Sequence, residues 1–531
     1  MANLIAGLCR SWPIGYCVIN RRHKDVEPRR FFAYGEAGYT HVPLWQSLPL
    51  PTGVEAIALY QVLANCGQDY LFETGHWHEG VFEQAYSVIG LPCSQRVELD
   101  EGVLRVYRDG QISATIECAD PLAELGKLQQ DFRIPQCPGL PSFSGGFFGY
   151  FGFETTRLIE PRLRRVPRKP SGFQLPDVLQ LISMDLVVLD HRAHLAYCIV
   201  HERPKALGDY QGGQDRLNRL VAHLRPLLVP PAPGGHVFEV TTPAAESAFP
   251  QPAFVEAVAR IKDYIAAGDV MQVVLSQRMS LPFEEDAVAL YRSLADLGHT
   301  PYRYLLNLGD CQVVGASPEM LFRQDQQTVT TRPMAGTRRR GSGVVEDHRL
   351  RDELLADPKE IAEHMMLVDL SRNDLGRLAR VGSVQVTQLL NVEYFSHVMH
   401  IVSTVTGDVT DHVTGLDLLK SIFPAGTLSG ASKVRALEII AELEPHSRGV
   451  YGGAIGYLDW RGRADLAITI RTGLLQDARL YIQAGAGVVQ DSVADREWQE
   501  TLEKSQLLRV AAGRCQSIAQ RQELPYALND R

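Results

Sequence analysis

Two hydrophobic rhythms run along the chain. Residues 53–65, GVEAIALYQVLAN, carry apolar positions at helical spacing, and residues 69–75 and 84–91 read as short strands. Residues 97–117 read as strand, Asp-Gly turn, strand, a strong hairpin signal. Residues 177–202 are long apolar runs that suit a second hairpin in a buried sheet. Residues 207–228 return to the helical period. The second half repeats the mixture. Residues 252–281 predict helix, Gly-Asp turn, strand; 310–324 and 327–341 predict strands ending in Gly-rich turns; 422–445 a loop then a helix; 448–460, 464–476 and 479–491 three strands; and 495–515 a final helix. Strand runs broken by helices predict an α+β fold with extensive antiparallel sheet.

The stretch from Glu360 to His400 organises the second half. Ile361, Met365, Leu367, Val368 and Leu370 give a helix with one apolar face, on which Glu360 and Glu363 share a side. Asn373, Asp374 and Gly376 are expected to end it. YFSHVMHIVST then reads as one strand carrying His397 and His400. A carboxylate-bearing helix beside a histidine-bearing strand suits metal and acid/base chemistry. A solvated helix face with core-edge histidines gives the same pattern. His364 reads as a packed histidine.

Residues 1–40 read as an irregular extension, 41–228 as an N-terminal half, and 229–251, rich in Pro, Gly and Ala, as a linker. Residues 252–515 form a C-terminal half and 516–531 a tail. There is no internal repeat and no run of 18 apolar residues, so no membrane span is expected. The N-terminus lacks a basic region ahead of an apolar stretch, which argues against a secretory signal. A net charge of −9 argues against nucleic acid as a partner. Nine scattered cysteines without a C-x-x-C pair fit reduced thiols in a cytoplasm and no structural zinc.

Six segments of the second half join glycines to a polar residue: GASPE with Glu319, MAGT with Gly336 and Thr337, PAGTLSGASK with Thr427 and Lys433, VYGG with Tyr451, TIRTG with Arg471, and AGAG with Gly485, Ala486 and Gly487. Glycines there let backbone N–H groups approach an anion, and Arg471 can clamp a carboxylate. Glu497 and Glu500 sit three apart on the last helix. Glutamates from two helices suit Mg²⁺, although Glu500 also has Lys504 four residues on for an ordinary helix pair. Arg338 to Arg340 reads as a solvated loop.

The segments AGDVMQVVLSQ, VVGASPEMLFR, TRPMAGTRRRG, KEIAEHMMLVDLSRNDLGR, SHVMHIVSTVTG, FPAGTLSGASK, RGVYGGAIGY, AITIRTG and AGAGVVQDS closely resemble the chorismate-utilising enzymes, across nearly all of residues 250–512 and more weakly through 40–200. Within that family the chain is most similar to the large subunits that form anthranilate. The resemblance implies one large α+β body, a β-sandwich core of mainly antiparallel strands with helices outside, to which both halves contribute. It implies Glu363 and Glu500 as Mg²⁺ ligands, with Glu360 and Glu497 undecided. Gly336, Thr337, Tyr451, Arg471, Gly485, Ala486 and Gly487 become chorismate contacts. Glu319 becomes the general acid for the ring hydroxyl and His400 the proton-transfer group of pyruvate elimination, with Gln272 and Thr427 beside them.

Family members that add water carry Lys where this chain has Gln272, so ammonia is the expected nucleophile. Amination without pyruvate loss, as in aminodeoxychorismate or aminodeoxyisochorismate synthases, is the alternative; a non-catalytic anion-binding subunit is a further one. No cysteine lies in a G-x-C-x-G setting, so use of glutamine implies a partner glutamine amidotransferase. The family's tryptophan site maps to Thr74, Pro301, Tyr302 and Arg303. Thr74 and Arg303 replace the usual Ser and Met, which implies weakened inhibition.

Overall fold

The computed structural model describes residues 27–78, 81–230, 242–395 and 398–523. Two antiparallel sheets of twelve strands each dominate the described residues. The first runs Val42–Pro49, Leu195–Glu202, Leu186–Asp190, Val81–Gly90 and Asp69–His78, and then continues with Tyr302–Asn307, Gln312–Ser317, Thr472–Gln476, Arg479–Val488 and Gln272–Pro282. The second begins at Met334–Arg339, Val398–Asp408, Thr328–Thr331, Met320–Asp325, Ala464–Ile468 and Ala454–Asp459. It passes to Gly146–Phe151, Val178–Ser183, Gln95–Asp100, Val103–Arg108 and Gln111–Glu117. Each sheet is therefore built from both halves of the chain, as expected of an α+β sandwich.

The sheets face each other across an aromatic layer. Tyr70 of the first stacks on Phe148 of the second with ring centroids 3.7 Å apart, and the Tyr70 hydroxyl donates to Ser183 at 2.8 Å. Leu181, Val188, Tyr304, Val313 and Ile455 fill the rest of this layer. Helices cover the outer faces. Ala56–Leu63, Leu207–Leu224, Ala287–Leu297 and Ala494–Glu523 seal the first sheet, and Pro121–Gln130, Pro358–Gly376 and Gly415–Ile422 the second. Burying aliphatic side chains on both faces of each sheet contributes about 25 cal/mol per Å² removed from water.

Several expected elements divide differently. Residues 97–117 form three strands. Glu101-Gly102 makes a second positive-φ turn like Asp109-Gly110, the twist-matched geometry of tight hairpins. Residues 177–202 are not one hairpin: Val178–Ser183 belongs to the second sheet, and the chain crosses at Met184-Asp185 into the first. Residues 464–476 and 310–324 cross between sheets in the same way. A continuous apolar run does not mark such a crossing, because both sides are buried. Pro28–Glu36 is a helix with Phe31 fully buried, not an irregular extension. The last helix runs on to Glu523, past the expected end at 515. Residues 231–241, the middle of the expected linker, lie outside the described residues.

Candidate active site

The organising helix spans Pro358–Gly376, capped by the Asp357 carboxylate on the amides of Lys359 and Glu360. Asn373 and Asp374 do not end it. Asp374 is buried and bonded to Lys433 Nζ at 2.9 Å, so a tertiary ion pair overrides its turn preference. The same bond, with one to the Ile422 carbonyl at 2.9 Å, engages the Lys433 ammonium of the PAGTLSGASK segment. The expected histidine strand is a hairpin: Tyr394 closes Gln385–Tyr394 and His400 lies on Val398–Asp408. His397 lies outside the described residues. His364 is buried, with Nε2 2.6 Å from Ser403 Oγ, as a packed histidine. Arg338 ends no solvated loop. It lies on a strand and pairs with Asp357 at 2.8 Å and Glu360 at 3.3 Å, while Arg340 forks onto Asp347.

Glu319 sits where the chain leaves Gln312–Ser317 in the first sheet for Met320–Asp325 in the second. Arg471 sits at the reverse crossing, between Ala464–Ile468 and Thr472–Gln476, with φ of 51°. Glu319 is buried, and Thr427 Oγ1 donates to its Oε1 at 3.0 Å. Burial lifts the Glu319 carboxyl to about 7, against smaller opposing effects of Thr427 and Lys504.

His400 Nδ1 lies 3.2 Å from the Gly336 carbonyl and 2.9 Å from Thr337 Oγ1. A carbonyl only accepts, so Nδ1 carries the proton and Nε2 is the free base. Burial lowers His400 to about 4, with Arg471 and Lys504 acting the same way and Gly336 opposing. MAGT is not a terminal turn: Gly336 occupies a bulge inside its strand with φ of 79°, and this aims its carbonyl at the imidazole.

AGAG is likewise the interior of Arg479–Val488. A Cβ on Gly487 would stand 2.6 Å from Gln272 Nε2, and one on Gly485 3.0 Å from the Tyr451 hydroxyl. The glycines therefore clear space for side chains of neighbouring strands, and Ala486 points into the core. Gln272 is buried, and its Nε2 donates to Glu363 at 3.4 Å.

Lys504 ties these groups together, although its spacing from Glu500 alone signals only a helix pair. Its ammonium lies 2.7 Å from Glu500 and donates to the Gly485 carbonyl at 2.9 Å, while its own carbonyl accepts from Arg471. Burial lowers the Arg471 guanidinium, and Tyr451 and Glu500 oppose that shift. Across from it, burial and the charges of Glu360 and Glu500 raise Glu363, with Gln272 opposing. Burial and Glu500 also raise Glu497. These carboxylates repel one another and are only partly neutralised, a setting that could hold a divalent cation. Among the described residues no three acidic, His or Cys groups already form a cage.

The site thus gathers two carboxylate-bearing helices, a neutral histidine, a buried carboxyl whose proton affinity is raised to about 7 and a half-buried guanidinium. A sequence profile described as chorismate binding enzyme matches residues 74–509. The chain belongs to the chorismate binding enzymes. Anthranilate synthase component 1 of Pseudomonas aeruginosa is 44% identical over 477 residues, covering 89% of this chain and 96% of that protein. That of Thermus thermophilus is 43% identical over 427 residues, covering 80% and 88%. The crystal structure of anthranilate synthase component I from Streptococcus pneumoniae superposes with a TM-score of 0.70 at 35% identity, covering 87% of this chain and 99% of that one. The isochorismate synthase MenF of Escherichia coli, at 18% identity, shares the fold with a TM-score of 0.65.

The expected effector residues also meet. Thr74 pairs with Tyr302 and Glu73 with Arg303 across adjacent strands, and the Pro301 carbonyl accepts from Gly75 at 2.9 Å. Arg303 is buried, 3.5 Å from the Glu73 carboxylate. No helix among the described residues is long and apolar enough to cross a membrane.

Proposed function

We propose that the chain is the large subunit of an anthranilate synthase, converting chorismate and ammonia to anthranilate and pyruvate for tryptophan synthesis in the cytoplasm. The observation that carries this reading is the opposite tuning of two groups that both feel the charge of Lys504: Glu319 raised to about 7 and His400 lowered to about 4. One environment raises the share of carboxylic acid near neutral pH and the other keeps an imidazole unprotonated, the division of labour that two proton transfers of opposite sense require.

Glu363 and Glu500 would hold Mg²⁺, whose remaining ligands would come from water and substrate oxygens. When bound, the ion would neutralise a substrate carboxylate. Arg471 binds chorismate as a carboxylate clamp, helped by the Tyr451 hydroxyl and by the strand that carries Gly485, Ala486 and Gly487. Thr337 and Gly336 orient His400. Ammonia attacks the ring as the hydroxyl leaves with a shift of the diene electrons, and Glu319 supplies the proton that lets it depart as water. Nε2 of His400 then takes the ring proton as pyruvate is eliminated and aromaticity is gained. Gln272 cannot act as a base on water, which favours ammonia over hydration.

A separate glutamine amidotransferase subunit delivers ammonia when glutamine is the donor. L-Tryptophan acts as a weak inhibitor at Thr74, Pro301, Tyr302 and Arg303. The deciding experiment supplies the purified chain with chorismate, ammonium and Mg²⁺. Anthranilate fluorescence with one pyruvate per chorismate is expected. A non-aromatic amine without pyruvate, or no turnover, would overturn the reading.

A further inference from the structure

Glu319 has a second neighbour besides the chorismate-facing groups. A cavity of about 40 Å³ lies against it, between the helix Pro358–Gly376 and the loop that carries Thr427. None of His400, Tyr451, Arg471 and Lys504 lines it. Its polar wall is formed by Glu319, Thr331, Arg332, Ser371, Asp374 and Thr427, and the remainder is mostly aliphatic. The volume suits about three or four waters, given roughly 10–15 Å³ for each.

The wall also holds an unanswered hydroxyl. Thr331 is 3% exposed, and its Oγ1 is buried without a partner in the protein. Buried hydroxyls are rarely left unpaired, and a polar cavity beside one is where water settles. The other polar groups here are mostly engaged: Arg332 with Glu393, Asp374 with Lys433, and Thr427 with Glu319 itself. Ser371 lines the same cavity from the helix and is only half-buried, so it marks the edge of the cavity nearest solvent.

We propose that this cavity is a water-filled relay that reloads Glu319 with its proton after each turnover, with Thr331 anchoring the water next to the carboxyl. The inference rests on Glu319 acting as the acid of amination. In that step the C–N bond forms, the ring C–O bond breaks, and the hydroxyl takes the Glu319 proton and leaves as water. The new ammonium group sheds a proton to solvent, and Glu319 is left a carboxylate buried behind product. A proton from solvent must reach it before the next chorismate can react. The product side is occupied at that moment, and the cavity enters from the other side.

Thr331→Val keeps the shape and removes the hydroxyl. Rapid-quench kinetics with saturating chorismate and ammonia should then show an unimpaired first turnover, about one chorismate consumed per site. The steady state that follows should be about tenfold slower, with a raised solvent deuterium isotope effect and unchanged KM. Thr331→Ser should restore the wild-type steady state, and Ser371→Ala should slow it in the same pattern. A Thr331→Val enzyme with wild-type steady-state rate and isotope effect, or one slowed equally in its first turnover, would overturn the relay. Glu319→Gln run in parallel separates the two ideas: an active Glu319→Gln enzyme would remove the acid assignment, whereas an inactive one beside an unaffected Thr331→Val enzyme removes the relay alone.

Discussion

Glu319 and Arg471 occupy adjacent crossings between the two sheets, and their backbones are stitched together. Ile468 N–H donates to the Glu319 carbonyl at 3.0 Å, Ala316 N–H to the Arg471 carbonyl at 3.1 Å, and Ser317 Oγ to the Ile468 carbonyl at 2.6 Å. The segments that carry the proposed acid and the proposed clamp are thus held to each other by main-chain hydrogen bonds, the kind of support that precise catalytic geometry demands. Arg471→Lys keeps the charge but loses the fork. It should raise KM for chorismate about 10- to 100-fold, the effect of losing roughly 1.4–3 kcal/mol of charge-assisted bonding. Steady-state kinetics against chorismate check this.

Glu319 couples activity to stability in opposite directions. Its folded proton affinity is raised from 4.5 to about 7, so the folded state carries no penalty below about pH 4.5 and an increasing one as pH rises through 7. Glu319→Gln should therefore abolish amination yet raise Tm at pH 8, with an upper bound on the order of 3 kcal/mol from the shift. At pH 4.5 the two proteins should melt alike. Differential scanning calorimetry at both pH values tests the sign.

Much of this is legible in the amino-acid sequence. The Glu363 and Glu500 helices, the strand of His400 and the glycine segments all follow from periodicity and composition. What the sequence hid were the crossings: at 184–185 and 468–472 the chain changes sheets with no Gly or Pro to mark it, and at 315–320 Gly315 and Pro318 signal only a turn, not a change of sheet. It also hid why the glycines are there. Gly485 and Gly487 leave room for Tyr451 and Gln272 rather than making turns. Asp374 looked like a helix stop and is a buried ion-pair partner. Lys504 looked like a surface pair and also bonds the Gly485 carbonyl and, through its own carbonyl, Arg471.

The metal assignment predicts a stability effect independent of turnover. Without a cation, Glu360 and Glu500 burden Glu363, so Mg²⁺ should raise the Tm of the wild type in proportion to the logarithm of its concentration. Glu363→Gln and Glu500→Gln should be inactive, should gain little from Mg²⁺, and Glu363→Gln should melt higher than the metal-free wild type above pH 7. Thermal melts over a Mg²⁺ titration distinguish a metal site from a bare acidic cluster.

His400→Ala should leave amination partly intact and stop pyruvate release, so that an aminated, non-aromatic intermediate accumulates. Because His400 is lowered to about 4, its imidazole stays neutral through the physiological range. Pyruvate release from that intermediate by the wild type should be flat from about pH 6 upward and fall only as pH drops toward 4. Equal loss of chorismate consumption and pyruvate release in His400→Ala would place the residue in binding instead.

The last prediction concerns the effector residues. Arg303 does not stand open for an incoming ring. Its guanidinium lies against Glu73 and 5.7 Å from the centre of the Tyr291 ring, and Glu73 in turn accepts from Tyr291, Gln84 and Ser87. The pair fills the space where the family carries a flexible methionine and holds its charge internally, so an amino acid entering there must compete with an ion pair already made. Tryptophan should therefore inhibit weakly. Arg303→Met alone strips a buried carboxylate of its cation, and a broken buried pair costs about 3–5 kcal/mol. The three neutral hydrogen bonds to Glu73 should keep the loss near the lower end. Thr74→Ser with Arg303→Met should tighten inhibition while lowering Tm, because the freed Glu73 can then receive the ammonium group of tryptophan. Added tryptophan should recover part of the lost Tm. Micromolar inhibition of the wild type, or a double variant whose Tm ignores tryptophan, would show that the pair does not govern the pocket.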